Sequence, residues 1–336
     1  MARDKVLLAH GAGGRASLEL IKGLFLPAYG NPLLEVLDDG AVLSLDGVRL
    51  AFSTDSYVVS PPFFPGGDIG KLSVYGTVND LAMMGARPLA LSLAFILEEG
   101  FEMEALERVV RSVAEASERA KVQVVTGDTK VVEKGAGSGI FVTSSGIGLL
   151  WPGASPSGRN ARPGDVVLLS GPIGDHEVAV LLARGEFSLE APVLSDCAPL
   201  WELVQELFEA QVEVHAMRDP TRGGLATALW EIAQGSQIGV VVEEGKVPVR
   251  PEVKGICELL GYDPYYLASE GKFLAFVPER DAERALEVLR SHPLGKEASI
   301  IGRATAENPG TVLLRTRVGG HRLLEPLTGR QFPRIC

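Results

Sequence analysis

Ala41-Val42-Leu43-Ser44-Leu45-Asp46-Gly47-Val48-Arg49-Leu50-Ala51-Phe52 sets two apolar runs on either side of Asp46-Gly47. An Asp-Gly pair in that position favours the tight turn in which both residues take positive φ. The segment therefore predicts an antiparallel hairpin, Ala41–Leu45 with Val48–Phe52. Its importance lies in what precedes it. His10-Gly11-Ala12-Gly13-Gly14-Arg15-Ala16 fits G-x-G-x-x-A, with a short apolar run before it and a helical pattern after it. Asp38 follows where a ribose-binding acid would stand, so this is a dinucleotide fingerprint. A nicotinamide or flavin site of that kind needs a crossover helix and a parallel strand next. The chain turns straight back instead, and the fingerprint loses its context. Gly70-Lys71 fails as a P-loop for a similar reason, because Pro65 and Leu72 stand where Gly and Ser or Thr are required.

Further along, Glu102–Ala120 places Leu106, Val109, Val110, Val113 and Ala114 on one helical face. Val122–Val125 and Gly139–Leu150 read as buried strands. Trp151–Gly164 is dense in Pro, Gly and Ser and reads as a linker. Beyond it, strands are expected at Asp165–Ser170, Ile238–Glu243, Phe273–Val277 and Thr311–Thr316. Helices are expected from Asp175 and at Ala198–Glu209, Leu225–Gln234 and Asp281–Arg290. The pattern is α+β followed by α/β. It divides into domains at 1–155 and 160–318, with a tail at 319–336 whose last part shows no pattern able to bury itself.

Composition narrows the function. The chain has 336 residues, with 32 Lys plus Arg against 43 Asp plus Glu, a formal charge of −11. That field repels phosphate backbones and anionic lipid, which argues against nucleic-acid and membrane-surface partners. The apolar run Val6–Ala9 is too short for a signal peptide's core, and Leu89–Leu97 is too short to span a bilayer. A cytoplasmic protein is expected. Cys197, Cys257 and Cys336 are too few for a disulfide framework. Cys197 and Cys257 lie in apolar, helix-like surroundings and read as inert core residues. His10, His176, His215, His292 and His321 show no zinc-ligand spacing and read as capping or surface residues.

What remains is a set of carboxylates beside glycine or hydroxyl residues: Asp38-Asp39-Gly40, Thr54-Asp55-Ser56, Asn79-Asp80, Gly127-Asp128-Thr129 and Asp219-Pro220-Thr221-Arg222-Gly223-Gly224. Each taken singly suits a turn or a helix cap. Five together, with backbone-donor glycines nearby, suit Mg²⁺ and phosphate.

At these residues the chain resembles the HypE family of hydrogenase maturation factors, within the ATP-using PurM-like group. That group also holds aminoimidazole ribonucleotide synthetase, selenophosphate synthetase and thiamine-phosphate kinase. The matching stretches are His10–Gly14, Asp38–Ala41, Thr54–Val59, Phe64–Ala86, Gly127–Val132, Gly171–His176, Met217–Gly224 and Pro333-Arg334-Ile335-Cys336. They extend over essentially the whole chain. The aspartate elements are shared by the group, whereas Pro-Arg-Ile-Cys is the mark of HypE.

The resemblance implies a PurM-like two-domain fold whose first sheet pairs with a second copy into a homodimer, with ATP near that junction. Asp38, Asp39, Asp55, Asp80, Asp128 and Asp219 would contact Mg²⁺ and phosphate, and Asn79 would be a polar contact among them. Asp38, Asp55, Asp80, Asp128 and Asp219 are the expected metal ligands. Cys336 would receive a carbamoyl group from the carbamoyltransferase HypF. ATP-dependent dehydration would turn the thiocarboxamide into a thiocyanate, whose cyanide passes through the HypC–HypD complex to the iron of a [NiFe]-hydrogenase. That chemistry needs charge stabilisation and a base for the amide protons. Lys130 matches the first role and Glu270 the second. Another PurM-like synthetase or kinase, or a non-catalytic ligand carrier, are the alternatives.

Overall fold

The computed structural model describes residues 5–185, 189–327 and 334–336. The hairpin forms as the sequence predicts. β1 (Ala41–Leu45) pairs antiparallel with β2 (Val48–Tyr57), and Asp46 and Gly47 take φ of 49° and 83°. Ahead of it the described residues form short helical pieces, among them α1 (Arg15–Leu20) and α2 (Leu26–Tyr29). Among the described residues no strand precedes Gly11, so the dinucleotide reading lacks its strand there as well as its crossover. After β2 come the small ribbon β3 (Phe63–Phe64) and β4 (Gly67–Asp68), then α3 (Ile69–Met83), β5 (Ala86–Glu98), α4 (Met103–Arg119), β6 (Gln123–Val132) and β7 (Ile140–Leu150). Gly70-Lys71 is the first turn of α3, and its N–H groups are capped by Asp68 Oδ1 at 2.8 and 3.1 Å.

The first sheet runs β1-β2-β7-β5-β6, antiparallel except for the last pair. One face packs on α3 and α4 through Val74, Val78, Leu91, Val109 and Val142. The other face is bare, and it presents Phe52, Ile96 and Ile147. Two expectations change here. Val110 and Ala114 of α4 point to solvent, and the buried stripe is Val109, Ser112, Val113, Ala116 and Ser117. Of Val122–Val125 only Val122 is buried; the run leads into the exposed edge strand β6, with Val125 63% and Val131 65% exposed. A short β-branched run carries the same local signal in either place.

The second half holds β8 (Val166–Leu169), α5 (Asp175–Arg184), α6 (Trp201–Glu209), β9 (Ala216–Arg218), α7 (Gly224–Ser236), β10 (Gly239–Glu243), α8 (Pro251–Leu260), β11 (Leu274–Val277), α9 (Ala282–Ser291), β12 (Ser299–Thr305), β13 (Val312–Arg315) and β14 (His321–Leu323). Its sheet runs β14-β13-β10-β12-β8-β11-β9, with one parallel pair, β10 with β13. Helix α7 covers one face and α6 with α9 the other. Alternate residues of β8 feed the two cores, Val167 and Leu169 to one, Val166 and Leu168 to the other.

The expected free tail begins later than Gly319. β14 pairs with β13, and Leu324 is buried. Residues 328–333 of that tail, Pro333 of the terminal motif among them, lie outside the described residues. Cys197 sits in an extended segment before α6, not in a helix, whereas Cys257 is buried in α8 as expected. No described helix is long and apolar enough to cross a membrane.

Candidate active site

Three carboxylates reach one another from different parts of the fold. Asp39 precedes β1, Asp80 lies on α3 and Asp219 follows β9, and each offers an oxygen within 4.8 Å of the others. Ser53 Oγ donates to Asp80 Oδ2 at 2.6 Å. Arg218 meets Asp39 at 3.3 Å and Glu231 at 2.9 Å. Burial pushes the Asp39 and Asp80 carboxyls well up, and neighbouring aspartates push the same way; Arg218 opposes this at Asp39 and the Ser53 hydroxyl at Asp80. Asp219 is raised to about 6, by burial first, with Arg218 working against it and Asp55 adding to it. An all-oxygen, mutually repelling set of this kind fits Mg²⁺.

The cluster opens into a cleft of about 480 Å³ between the two halves of the chain. Its walls include Gly11, Gly13 and Gly14 from the N-terminal segment, Gly224 at the start of α7, and Asp55, Arg222, Glu270 and Cys336. Gly224 has φ of 63°, and a Cβ there would meet the Tyr265 and Leu267 carbonyls at 2.7 Å. Only glycine lets the α7 N-terminus approach that backbone.

Cys336 lies at the floor of the cleft, 8% exposed. Val58 N donates to a main-chain oxygen of Cys336 at 2.9 Å and Ser60 N to the Arg334 carbonyl at 3.1 Å. These two main-chain bonds tie the terminal residues to the segment that follows β2. Arg334 Nε donates to Val58 O, its guanidinium lies over the Phe141 ring, and Arg184 holds the Arg334 carbonyl at 2.8 Å. Burial pushes the Cys336 thiol far up; Arg222 works against this, and Glu270 and Asp55 add to it. Glu270 is 3% exposed, and burial raises its carboxyl well above the usual range, with Asp219 and Asp55 next. Its Oε1 has no hydrogen-bond partner among the described residues, and its N–H donates to Asp196 Oδ1 at 3.0 Å.

The site residues read from the sequence divide into two groups. Asp39, Asp55, Asp80, Asp219, Glu270 and Cys336 line one cleft. Asp39, not among the expected metal ligands, belongs to the closest cluster. Asp38 also lines the cleft but stands apart from that cluster, since its carboxylate accepts from Ser157 Oγ at 2.6 Å and Gly158 N at 2.8 Å. Asn79 points away from the cleft. Its amide donates to the Ala198 and Glu270 carbonyls, both at 3.0 Å, and accepts from Leu200 N at 2.8 Å. One step along α3 turns a side chain by about 100°, so Asn79 and Asp80 cannot share a target. Asp128 and Lys130 pair with each other on the exposed edge strand β6, their side chains 60% and 70% exposed. Within one chain neither joins the carboxylate cluster. His176 and His215 are buried rather than superficial. His215 bridges Asp165 and Glu213, and His176 contacts the segment that ends at Cys336.

Residues 37–150 match the AIR synthase related N-terminal domain, and residues 162–315 match the corresponding C-terminal domain. Carbamoyl dehydratase HypE of Rhodobacter capsulatus is 51% identical over 99% of this chain and 98% of its own length. The chain belongs to the carbamoyl dehydratase HypE family. It is therefore an enzyme of hydrogenase maturation with a PurM-like fold. A HypE solved in complex with ATP superposes with a TM-score of 0.83 at 51% identity, covering 99% of this chain and 100% of that one. The HypE of a HypE–HypF complex superposes at 0.86 with 47% identity, covering 92% and 99%.

Proposed function

We propose that this HypE-family chain dehydrates a carbamoyl group carried on its own Cys336, using ATP. The observation that carries the reading is the seat of Cys336, buried in the same cleft as the carboxylate cluster and Glu270. A cysteine with no part in the chemistry has no reason to be threaded there by main-chain hydrogen bonds.

In the reaction, the thiocarboxamide oxygen attacks the γ-phosphorus of ATP, and ADP leaves. Loss of one N–H proton gives an O-phosphoryl thioimidate. Loss of the second proton with expulsion of phosphate leaves Cys336 as S–C≡N. The sum is thiocarboxamide plus ATP to thiocyanate, ADP and phosphate. Asp39, Asp80 and Asp219 would hold Mg²⁺, which neutralises charge on the transferring phosphoryl group. The N–H groups of Gly11, Gly13 and Gly14, with Arg222, would bind phosphate. Glu270 is the proton acceptor: burial raises its carboxyl above the usual range, which makes it a stronger base than an exposed carboxylate.

Loading requires the other position of the segment. A thiol pushed up by burial is a poor nucleophile, so Cys336 must leave the cleft to be carbamoylated. The nine residues after Leu327 reach about 30 Å when extended. HypF is the expected donor and the HypC–HypD complex the expected cyanide acceptor. The bare face and exposed edge of the first sheet support a homodimer, in which Asp128 and Lys130 on β6 reach the partner's cleft rather than their own.

Intact-mass measurement tests the reaction. After incubation with HypF and a carbamoyl donor, the chain gains one carbamoyl group, and ATP then removes one water. Cys336→Ala abolishes both changes and keeps ATP affinity. A wild-type chain unmodified at Cys336 refutes the reading.

A further inference from the structure

His176 has no exposed surface, and the chemistry above does not use it. Both ring nitrogens are nevertheless engaged. Nε2 lies 2.7 Å from the Ile335 carbonyl oxygen, and Nδ1 lies 2.9 Å from Ser195 Oγ. A carbonyl only accepts, so Nε2 carries the proton. Nδ1 is then an acceptor, and the Ser195 hydroxyl donates to it. Ser195 Oγ in turn accepts from Cys197 N at 3.1 Å. This chain of three bonds fixes one tautomer, and Phe64 fixes the ring plane with an edge-on contact at 5.3 Å. Burial lowers the imidazole pKa and keeps the ring neutral, in keeping with that assignment.

The contact completes a grip on the segment from both sides. The main-chain oxygens of Arg334 and Cys336 accept from Ser60 and Val58, which leaves the Ile335 carbonyl between them to another partner. His176 is what it meets. We propose that His176 is the positioning residue that seats the Cys336 sulfur beside Glu270 and Arg222, oriented for that task by Ser195. This rests on the reading that Cys336 carries the carbamoyl group. The bond is made to main chain one residue from the reacting sulfur, so it controls where that sulfur points without touching it. A single neutral hydrogen bond also breaks readily, as the segment's departure for loading demands.

The test uses full-length wild type, His176→Leu, His176→Gln and Ser195→Ala. Glutamine can place an N–H near the lost Nε2–H. With Cys336 carbamoylated by HypF, His176→Leu is expected to lose water under ATP about 100-fold more slowly than wild type. His176→Gln recovers much of that loss, Ser195→Ala falls between, and ATP affinity stays constant throughout. In the unloaded chains, iodoacetamide alkylates Cys336 at least about 10-fold faster in His176→Leu. Cys257, buried in α8, stays unreactive and reports an intact fold. Wild-type dehydration and wild-type alkylation in His176→Leu overturn the proposal. If loaded wild type never loses water, the reading of the reaction fails instead, and unchanged alkylation in His176→Leu still overturns the seat. If Cys257 becomes reactive in His176→Leu, Ser195→Ala decides, and wild-type rates there overturn the proposal.

Discussion

The Asn79 carboxamide and the Glu270 carbonyl oxygen meet at 3.0 Å, joining a helix of the first half to the loop that carries the proposed base. The same amide satisfies Ala198 and Leu200. Asn79→Ala leaves buried main-chain groups without partners and is expected to cost about 2–4 kcal/mol in urea unfolding. Dehydration slows because Glu270 shifts, while Mg-ATP affinity changes little. A large loss of Mg-ATP affinity without loss of stability would restore Asn79 to the nucleotide site.

Asp80 acts in the opposite sense. Its charge is buried against Asp219, Asp55 and Asp39. Asp80→Asn relieves that repulsion, so the ligand-free chain is as stable as wild type or more so. Mg-ATP binding by calorimetry weakens at least about tenfold. Unchanged affinity removes Asp80 from the metal site.

The bare first sheet gives a third expectation. Val125→Lys with Val131→Asp places charges on the exposed edge of β6 and should convert a dimer to monomers in sedimentation. Activity falls with the dimer. A mixture of Asp128→Asn chains with Asp80→Asn chains recovers part of the activity if Asp128 serves the partner's cleft. A wild-type chain that sediments as a monomer contradicts this arrangement.

Glu177, beside His176 on α5, accepts from Ala268 N at 2.6 Å. Burial raises its carboxyl from the ordinary 4.5 to about 8, opposed by that hydrogen bond and by Arg184. Between those values the folded chain keeps a proton that the unfolded chain has released. This residue therefore lowers stability as pH rises from 4.5 to about 8, and its effect is level above that. Glu177→Gln removes the titration, so its melting temperature relative to wild type should climb across that window. Parallel curves for the two proteins show that Glu177 does not titrate there.

The hairpin was legible because Asp46-Gly47 is a local signal, complete within a few residues. The carboxylates were legible as a set because five aspartate groups recur along the chain in glycine or hydroxyl contexts, and a Mg²⁺–phosphate site needs such oxygen ligands. Their division was not. Asn79 and Asp80 are neighbours in sequence, and only the helical rotation of α3 sends one to the interior seam and the other to the cleft. Asp128 and Lys130 sit on a strand whose short apolar run reads as core, because sequence does not say which strand ends a sheet. His176 looked like any isolated histidine. Its position two residues after Gly174, at a helix start, was the available clue, but its partner Ile335 lies 159 residues away.

If Cys336 carries the carbamoyl group as proposed, its seat changes how the enzyme's rate responds to its surroundings. A substrate that arrives on the enzyme's own chain meets the cleft at an effective concentration set by the length of the connection, in the millimolar range for a short one. Dilution does not weaken that encounter, and free thiols in solution compete poorly with it. On the proposed reaction, each loaded chain would work as a unimolecular device with no KM for its carbamoyl substrate. Its throughput depends on how often the segment is exchanged between seat and partner, and only ATP remains to saturate.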